Sequence, residues 1–335
     1  MKLIYFTDPH GQASNPSTRL DNYPEAILGK FRYIGNYARE IQADATLIGG
    51  DIISTPDTSQ SFISELSYII QGYPCEVDVV LGNHDIYGYN PDTFLRTSLN
   101  IANKLRAFNR LGNTPRIIND RVSITGKDSY VHLDKPEYIG DYARSGRIDG
   151  LVNIHIVHGM LVEKVWPQVA HCTTLEQVMD ANPDADIILS GHEHTGFGIK
   201  VFYRNDGRKV IFCNPGSLGR VTSCTGDLRK DVRMAVITIE DDDYNIELVN
   251  LPIDVARPAN EVIDWERVAL EKANKQRIQD FTNKVNDVEI STNLDFYQSL
   301  NALAEQSDVP IRKEVIDQCV RQLQIAEESI KRGDE

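Results

Sequence analysis

The chain has 335 residues, a length that suits one large α/β domain plus an appendage, or two domains, and is 41% hydrophobic and 25% charged, as in an ordinary globular protein. Its formal net charge of −14 argues against the broad basic face that grips nucleic-acid phosphates, but allows a local patch or bound cations. The opening MKLIYFTDPH lacks a signal peptide's apolar core and no apolar run is long enough for a membrane span, while Cys75, Cys172, Cys213, Cys224 and Cys319 include no CxxC pair. Free thiols in a reducing compartment, the cytoplasm, and no membrane partner are therefore expected.

Residues 2–6 (KLIYF) read as a first strand. A helix follows over 22–42, with Pro24 near its start and Ile27, Phe31, Ile34, Ala38 and Ile41 on one face. ATLIGGD (45–51) is a short strand ending in two glycines, 59–71 a second helix, 77–82 (VDVVLG) a third strand and 90–111 a third helix. Strand alternating with helix implies right-handed crossovers and a largely parallel sheet. Beyond 150 the texture changes to strands at 151–159, 185–192, 198–204, 208–214, 232–240 and 245–251, with RNDGR (204–208) as a hairpin turn. A second sheet packed on the first follows from this. The segment 1–255 reads as one domain and 256–335 as a helical extension, with Ile311, Val315, Cys319 and Leu323 spaced as an apolar stripe.

Each of several short segments places metal-ligand residue types just after a predicted strand. They are TDPHG (Asp8, His10), GGD (Asp51), GNHD (Asn83, His84, Asp85), VHG (His158) and SGHEHTG (His192, Glu193, His194). The carboxyl ends of strands line the binding crevice of α/β sheets, so these segments can converge despite their separation. Carboxylate, imidazole and amide donors without thiolate suit Mn²⁺, Fe²⁺, Ni²⁺ or Zn²⁺ in a working site rather than a structural zinc cage. The ligands exceed the needs of one tetrahedral ion. They suit two ions about 3.5–4 Å apart that share a carboxylate and convert a bridging water to a hydroxide nucleophile.

These motifs, in this order, resemble those of the calcineurin-like metallophosphoesterase superfamily: DxH, GD, GNHD/E, a later His before Gly, and GHxH, spanning roughly 1–220 here. The resemblance implies an α/β fold in which two mixed β-sheets pack as a sandwich flanked by helices. It implies a first metal held by Asp8, His10 and His194, a second held by Asn83, His158 and His192, and Asp51 as the bridge. His84 is then a catalytic group that protonates the leaving oxygen or stabilises the phosphoryl group. Asp85 either orients His84 or caps the turn that follows. Glu193 should point away from the metals, and His132, His155 and His171 should be structural. Arg144 and Arg147 are candidates for a substrate phosphate, and NPGSLGR (214–220) for the site wall.

Within the superfamily the chain is most similar to the SbcD-type branch of DNA double-strand-break repair nucleases. The similarity rests on the early DxH strand and on CNPGSLGRVTSCTGD followed by a strand pair and ARPANEVIDWE. It implies a DNA exo- or endonuclease, preferring Mn²⁺, whose C-terminal helices dock on an SbcC-like ATPase or form a homodimer. One departure stands out: such nucleases carry His or Asp three residues after the bridging Asp, where GDIIS has Ser54. The alternative is a stand-alone phosphodiesterase or phosphatase acting on small nucleotides or phosphoproteins. An inactive scaffold would not need the complete ligand set.

Overall fold

In the computed structural model, which describes residues 1–166, 171–220, 225–241 and 243–287, β1 (Lys2–Phe6) turns Leu3 and Tyr5 to one side and Ile4 and Phe6 to the other. Both sides are buried from Leu3 on, so residues 3–6 are all apolar instead of alternating with polar residues. Helix α1 (Tyr23–Glu40) starts where the Asn22 side chain accepts the Glu25 N–H, and it buries Ile27, Phe31, Ile34 and Ala38 against the outer face of the sheet. β2 (Ala45–Ile48), α2 (Gln60–Gln71) and β3 (Glu76–Val79) follow as the sequence predicts.

The predicted helix over 90–111 is not continuous. A 3₁₀ turn, Pro91–Arg96, ends in extended backbone at Thr97, α3 covers only Leu99–Lys104, and β4 (Asn109–Arg110) joins the sheet beside β3. Thr, Ser and Asn side chains compete for the backbone here. Thr97 Oγ1 donates to Phe94 O, Ser98 Oγ to Pro56 O and Asn100 Nδ2 to Leu95 O. A hairpin was also not predicted. β5 (Arg116–Ile118) and β6 (Val122–Lys127) turn through Asn119 and Asp120, both at positive φ, and Arg121 N–H closes the turn on Ile118 O. Asn-Asp is a residue pair suited to that turn, so the signal was in the sequence.

The chain continues through α4 (Gly140–Ala143), β7 (Val152–His158), a small parallel pair β8 (Leu161–Val162) and β9 (Thr173–Thr174), and α5 (Leu175–Asp180). β10 (Ile187–Gly191), β11 (Gly198–Tyr203), β12 (Lys209–Asn214), α6 (Thr225–Arg229), β13 (Arg233–Glu240), β14 (Asp243–Asn250), α7 (Ala259–Val262) and α8 (Trp265–Asp287) complete it. Two six-stranded mixed sheets result, in the orders β14-β13-β1-β2-β3-β4 and β11-β12-β10-β7-β6-β5. In the first sheet β1 to β4 run parallel and β13 and β14 are antiparallel; in the second the central strands are parallel and both edges, β11 and β5, antiparallel. Leu3, Tyr5 and Leu47 meet Ile124, Ile154, Ile156 and Leu189 between the sheets. The second sheet's other face packs Val157, Ile188 and Phe212 against Leu133, Tyr142, Leu175 and Val178. This is the α/β sandwich flanked by helices that the motifs imply.

The chain divides into two compact units, Met1–Val268 and Ala269–Glu335. The first contains both sheets, and in the second residues 269–287 are helical. The stripe Ile311, Val315, Cys319 and Leu323 lies outside the described residues. Among the described residues no helix is long and apolar enough to cross a membrane.

Candidate metal centre

Parallel pairing brings the strand ends level. Phe6, Ile48 and Val79 lie side by side at the ends of β1, β2 and β3, and His158 pairs with Gly191 at the ends of β7 and β10. The polar loops that follow therefore open at one edge of the sandwich. Two glycines let them close up. A Cβ on Gly82 would stand 2.0 Å from Asp51 Oδ1, and Gly50, at φ +98°, would place one 2.4 Å from His158 Nδ1. Asp8, His10, Asp51 and His192 all have positive φ, between 49° and 75°. That conformation costs non-glycine residues about 1–3 kcal/mol each. It is held by inter-loop hydrogen bonds, Asp8 N–H to Gly50 O at 3.1 Å and His10 N–H to Asp51 O at 2.9 Å.

The loops gather the donor atoms into two overlapping groups: Asp8, His10, Asp51 and His194; and Asp51, His158 and His192. Asp51 belongs to both. In the first group His10 Nε2 and His194 Nε2 are 2.9 Å apart, with Asp8 Oδ1 3.5 Å from His194 Nε2 and Asp51 Oδ2 3.6 Å from His10 Nε2. In the second, His158 Nε2 is 3.3 Å from Asp51 Oδ2, and the His158 and His192 rings lie 5.3 Å apart. Asp51 Oδ2, Asn83 Oδ1 and His158 Nε2 are buried yet make no hydrogen bond. Buried polar atoms are rarely left in that state, and the unpaired Asp51 Oδ2 and His158 Nε2, 3.3 Å apart, fit a bound cation. His158 Nδ1–H donates to Gly49 O at 2.6 Å, which frees Nε2 as the donor atom.

The electrostatics agree. Burial pushes the Asp8 carboxyl up, but the imidazoles of His194 and His158 outweigh it and hold it at about 2. Burial drives His10 down to about 4. Burial also works against protonated His158, yet the Asp51 carboxylate raises it to about 9. Bound cations would favour the unprotonated form of each of these ligands, so metal affinity should rise with pH.

His84 lies at the exposed rim, its ring 4.9 Å from that of His10. Its backbone N–H donates to Asp51 Oδ1 at 2.8 Å and its Nδ1 to Ser54 O at 2.8 Å. Asp85 does not orient it. The Asp85 carboxylate is buried and accepts from Ile53 N–H at 3.0 Å and Gly82 N–H at 2.8 Å, bracing the two loops that carry Asp51 and Asn83. A backbone carbonyl takes the orienting role instead, and only a carbonyl three residues past Asp51 reaches it, because Ser54 Oγ is turned to His10 O.

Glu193 points away from the ligands, as expected, and accepts from Thr195 and Gly196 N–H. NPGSLGR does form part of the wall. Ser217, Leu218 and Gly219 N–H donate to His194 O, Thr7 O and Asp8 O. Arg144 and Arg147 do not face the site. Arg144 is buried on Ser123 and Ile154 O, and Arg147 pairs with Asp186. His155 is buried between Thr125 Oγ1 and Asp141 O, a structural role. Sequence reasoning missed Asp227, which is fully buried with Oδ2 at 3.6 Å from His194 Nδ1. No motif flags it, since it lies in a short helix far along the chain.

A profile of the calcineurin-like phosphoesterase family matches residues 1–196, which include every ligand-bearing loop. Among proteins of curated function none matches. Solved structures similar to this chain include a dimetal phosphatase from Danio rerio at 11% identity, covering 75% of this chain and 96% of that one, TM-score 0.48. A purple acid phosphatase from yellow lupin seeds is 12% identical, covering 77% of this chain and 52% of that one, TM-score 0.48. The protein TT1561 of Thermus thermophilus is 9% identical, covering 74% and 98%, TM-score 0.45. With the profile spanning more than half the chain and the motif loops meeting in space, the chain belongs to the calcineurin-like phosphoesterase family and is a hydrolase acting on phosphoester bonds.

Proposed function

We propose that the chain is a dinuclear-metal phosphodiesterase acting on DNA, with Mn²⁺ as its metal. The observation that supports it most is the sharing of Asp51 between two donor groups beneath an exposed imidazole, His84. Asp8, His10 and His194 would hold one ion, Asn83, His158 and His192 the other, and Asp51 both. Two such cations supply positive charge for phosphoryl oxygens and acidify water.

The protein's own residues set the rest. Hydrogen bonds from His84 N–H and to Ser54 O fix the His84 ring at the rim, with Nδ1 engaged. Nε2 is then the nitrogen that meets substrate, and as an imidazolium His84 would pass its Nε2 proton to the leaving oxygen and keep the Nδ1 proton on Ser54 O. Asp85, Gly82 and Gly50 act through the backbone by holding the ligand loops in close approach.

DNA as substrate rests on similarity to the SbcD-type nucleases. The same reading takes 256–335 as the docking region for an SbcC-like ATPase or a second copy, in the cytoplasm. A second reading, small nucleotides or phosphoproteins as substrates, is favoured by the −14 charge, since an unaided acidic chain grips DNA poorly. Metal-stripped protein resupplied with Mn²⁺ and offered linear DNA, a generic phosphodiester, cyclic nucleotides and a phosphomonoester separates the two. DNA cleavage supports the first reading; hydrolysis of monoesters alone rejects it.

A further inference from the structure

Asp227 lies outside the family motifs and beyond the part of the chain that the family profile matches. Its side chain is fully buried, and a buried carboxylate needs partners. Oδ1 accepts from Ser217 Oγ at 2.7 Å and faces Lys230 Nζ at 3.1 Å. Oδ2 stands 3.6 Å from His194 Nδ1, an ion-pair contact beyond hydrogen-bond range, and that nitrogen has no hydrogen-bond partner. The opposite edge of that imidazole, Nε2, faces His10 Nε2 and Asp8 Oδ1. One ring thus joins Asp227 to the first donor group.

Hydrogen bonds cross-link the cradle. Ser217 N–H donates to His194 O at 2.9 Å, and Lys230 Nζ also donates to Ser217 Oγ at 2.7 Å. Asp227, Ser217 and His194 therefore close a ring of contacts that limits rotation of the imidazole. The second nitrogen of His158 has a neutral acceptor, the Gly49 carbonyl. His194 faces a charged one.

We propose that Asp227 is the positioning residue of His194: its carboxylate keeps the proton on Nδ1 and so presents Nε2 to the first metal. This rests on the dinuclear reading above. A carboxylate behind a ligating imidazole fixes the tautomer and raises the basicity of the donor nitrogen, and losing one lowers metal affinity about 10–100-fold. The effect should fall on the ion held by Asp8, His10 and His194 and spare the one held by Asn83, His158 and His192. A carboxylate that merely neutralised Lys230 would not discriminate between the ions.

The test is Mn²⁺ binding to the full chain, followed by calorimetry and by the electron paramagnetic resonance of the bound ions. Wild type should take up two. Asp227→Asn should bind one of them about 10–100-fold more weakly and leave the other unchanged. Lys230→Met should lower the melting temperature without separating the two affinities. Equal affinity for both ions in Asp227→Asn, or an equal loss at both, overturns the proposal. Wild type that binds no Mn²⁺ overturns the dinuclear reading itself. Should Asp227→Asn not fold, ¹⁵N imidazole shifts of Zn²⁺-loaded wild type decide the matter. A hydrogen-bonded proton on His194 Nδ1 supports the proposal; ligation through Nδ1 overturns it.

Discussion

At Asp51 one carboxylate serves two donor groups while its Oδ1 accepts the His84 backbone N–H. Neutralising it therefore acts on both ions and on the loop that presents His84. Asp51→Asn should lose both Mn²⁺ affinities together in a binding titration, whereas a change at a ligand of one group should weaken one. His84 touches the centre only from the rim, ring against ring with His10. His84→Ala should reduce kcat by about 10²–10⁴-fold while metal stoichiometry stays at the wild-type value. If the His84→Ala protein emptied of metal, the assignment of His84 as a proton donor would be wrong. Of these single residues, the ligands were legible because their motif spacing is short. The partners that orient them were not, because Asp227, Gly49 and Ser54 reach the site through contacts that no local pattern records.

Strand β7 shows how one element divides its duties by face. His158 ends the strand in the metal centre, while His155 stands on the other face, buried between α4 and β6. The carbonyl of Asp141 can only accept, so Nε2 carries the ring proton and Nδ1 accepts from Thr125 Oγ1. A second proton would disrupt this arrangement, and burial lowers the group from 6.5 to about 4. Between those values the unfolded chain binds a proton that the folded chain refuses. His155 thus gives its full stabilisation above pH 6.5, and the stabilisation declines as pH falls towards 4, by about 1.4 kcal/mol per pH unit at most. Denaturant titrations of His155→Gln should show a shallower acid dependence than wild type across that window. The period of two made the opposed faces readable in advance. The split of 90–111 into a 3₁₀ turn, a short helix and an edge strand was not, since the backbone there is captured by Pro56 O, which lies far away in sequence.

Across the whole molecule the ligands tie both sheets together: β1, β2 and β3 supply loops from one, β7 and β10 from the other. Without cations, buried lone pairs of Asp51, Asn83 and His158 stay unsatisfied. Chelation should lower the melting temperature, and Mn²⁺ at a hundredfold excess over its Kd should restore about 2.7 kcal/mol per site. A melting temperature indifferent to chelator and Mn²⁺ would count against metal binding at these loops. The −14 charge acts at the same scale. Any DNA cleavage by the chain alone should weaken only modestly as salt rises, because few phosphates are neutralised by its surface.

By itself the sequence determined that strands would end in metal-ligand loops, because a strand's apolar run and a ligand's residue type are both local properties. It also determined the fold class, because strands buried on both faces require helices to cover them. Only the tertiary structure decided that Asp51 lies in both donor groups, that Asp85 braces backbone instead of His84, and that Arg144 and Arg147 are spent on the scaffold. The reason is reach. A side chain's hydrogen-bond partner is chosen by whatever the fold brings within about 3 Å, and residues that meet at that distance here are 184 positions apart in the chain.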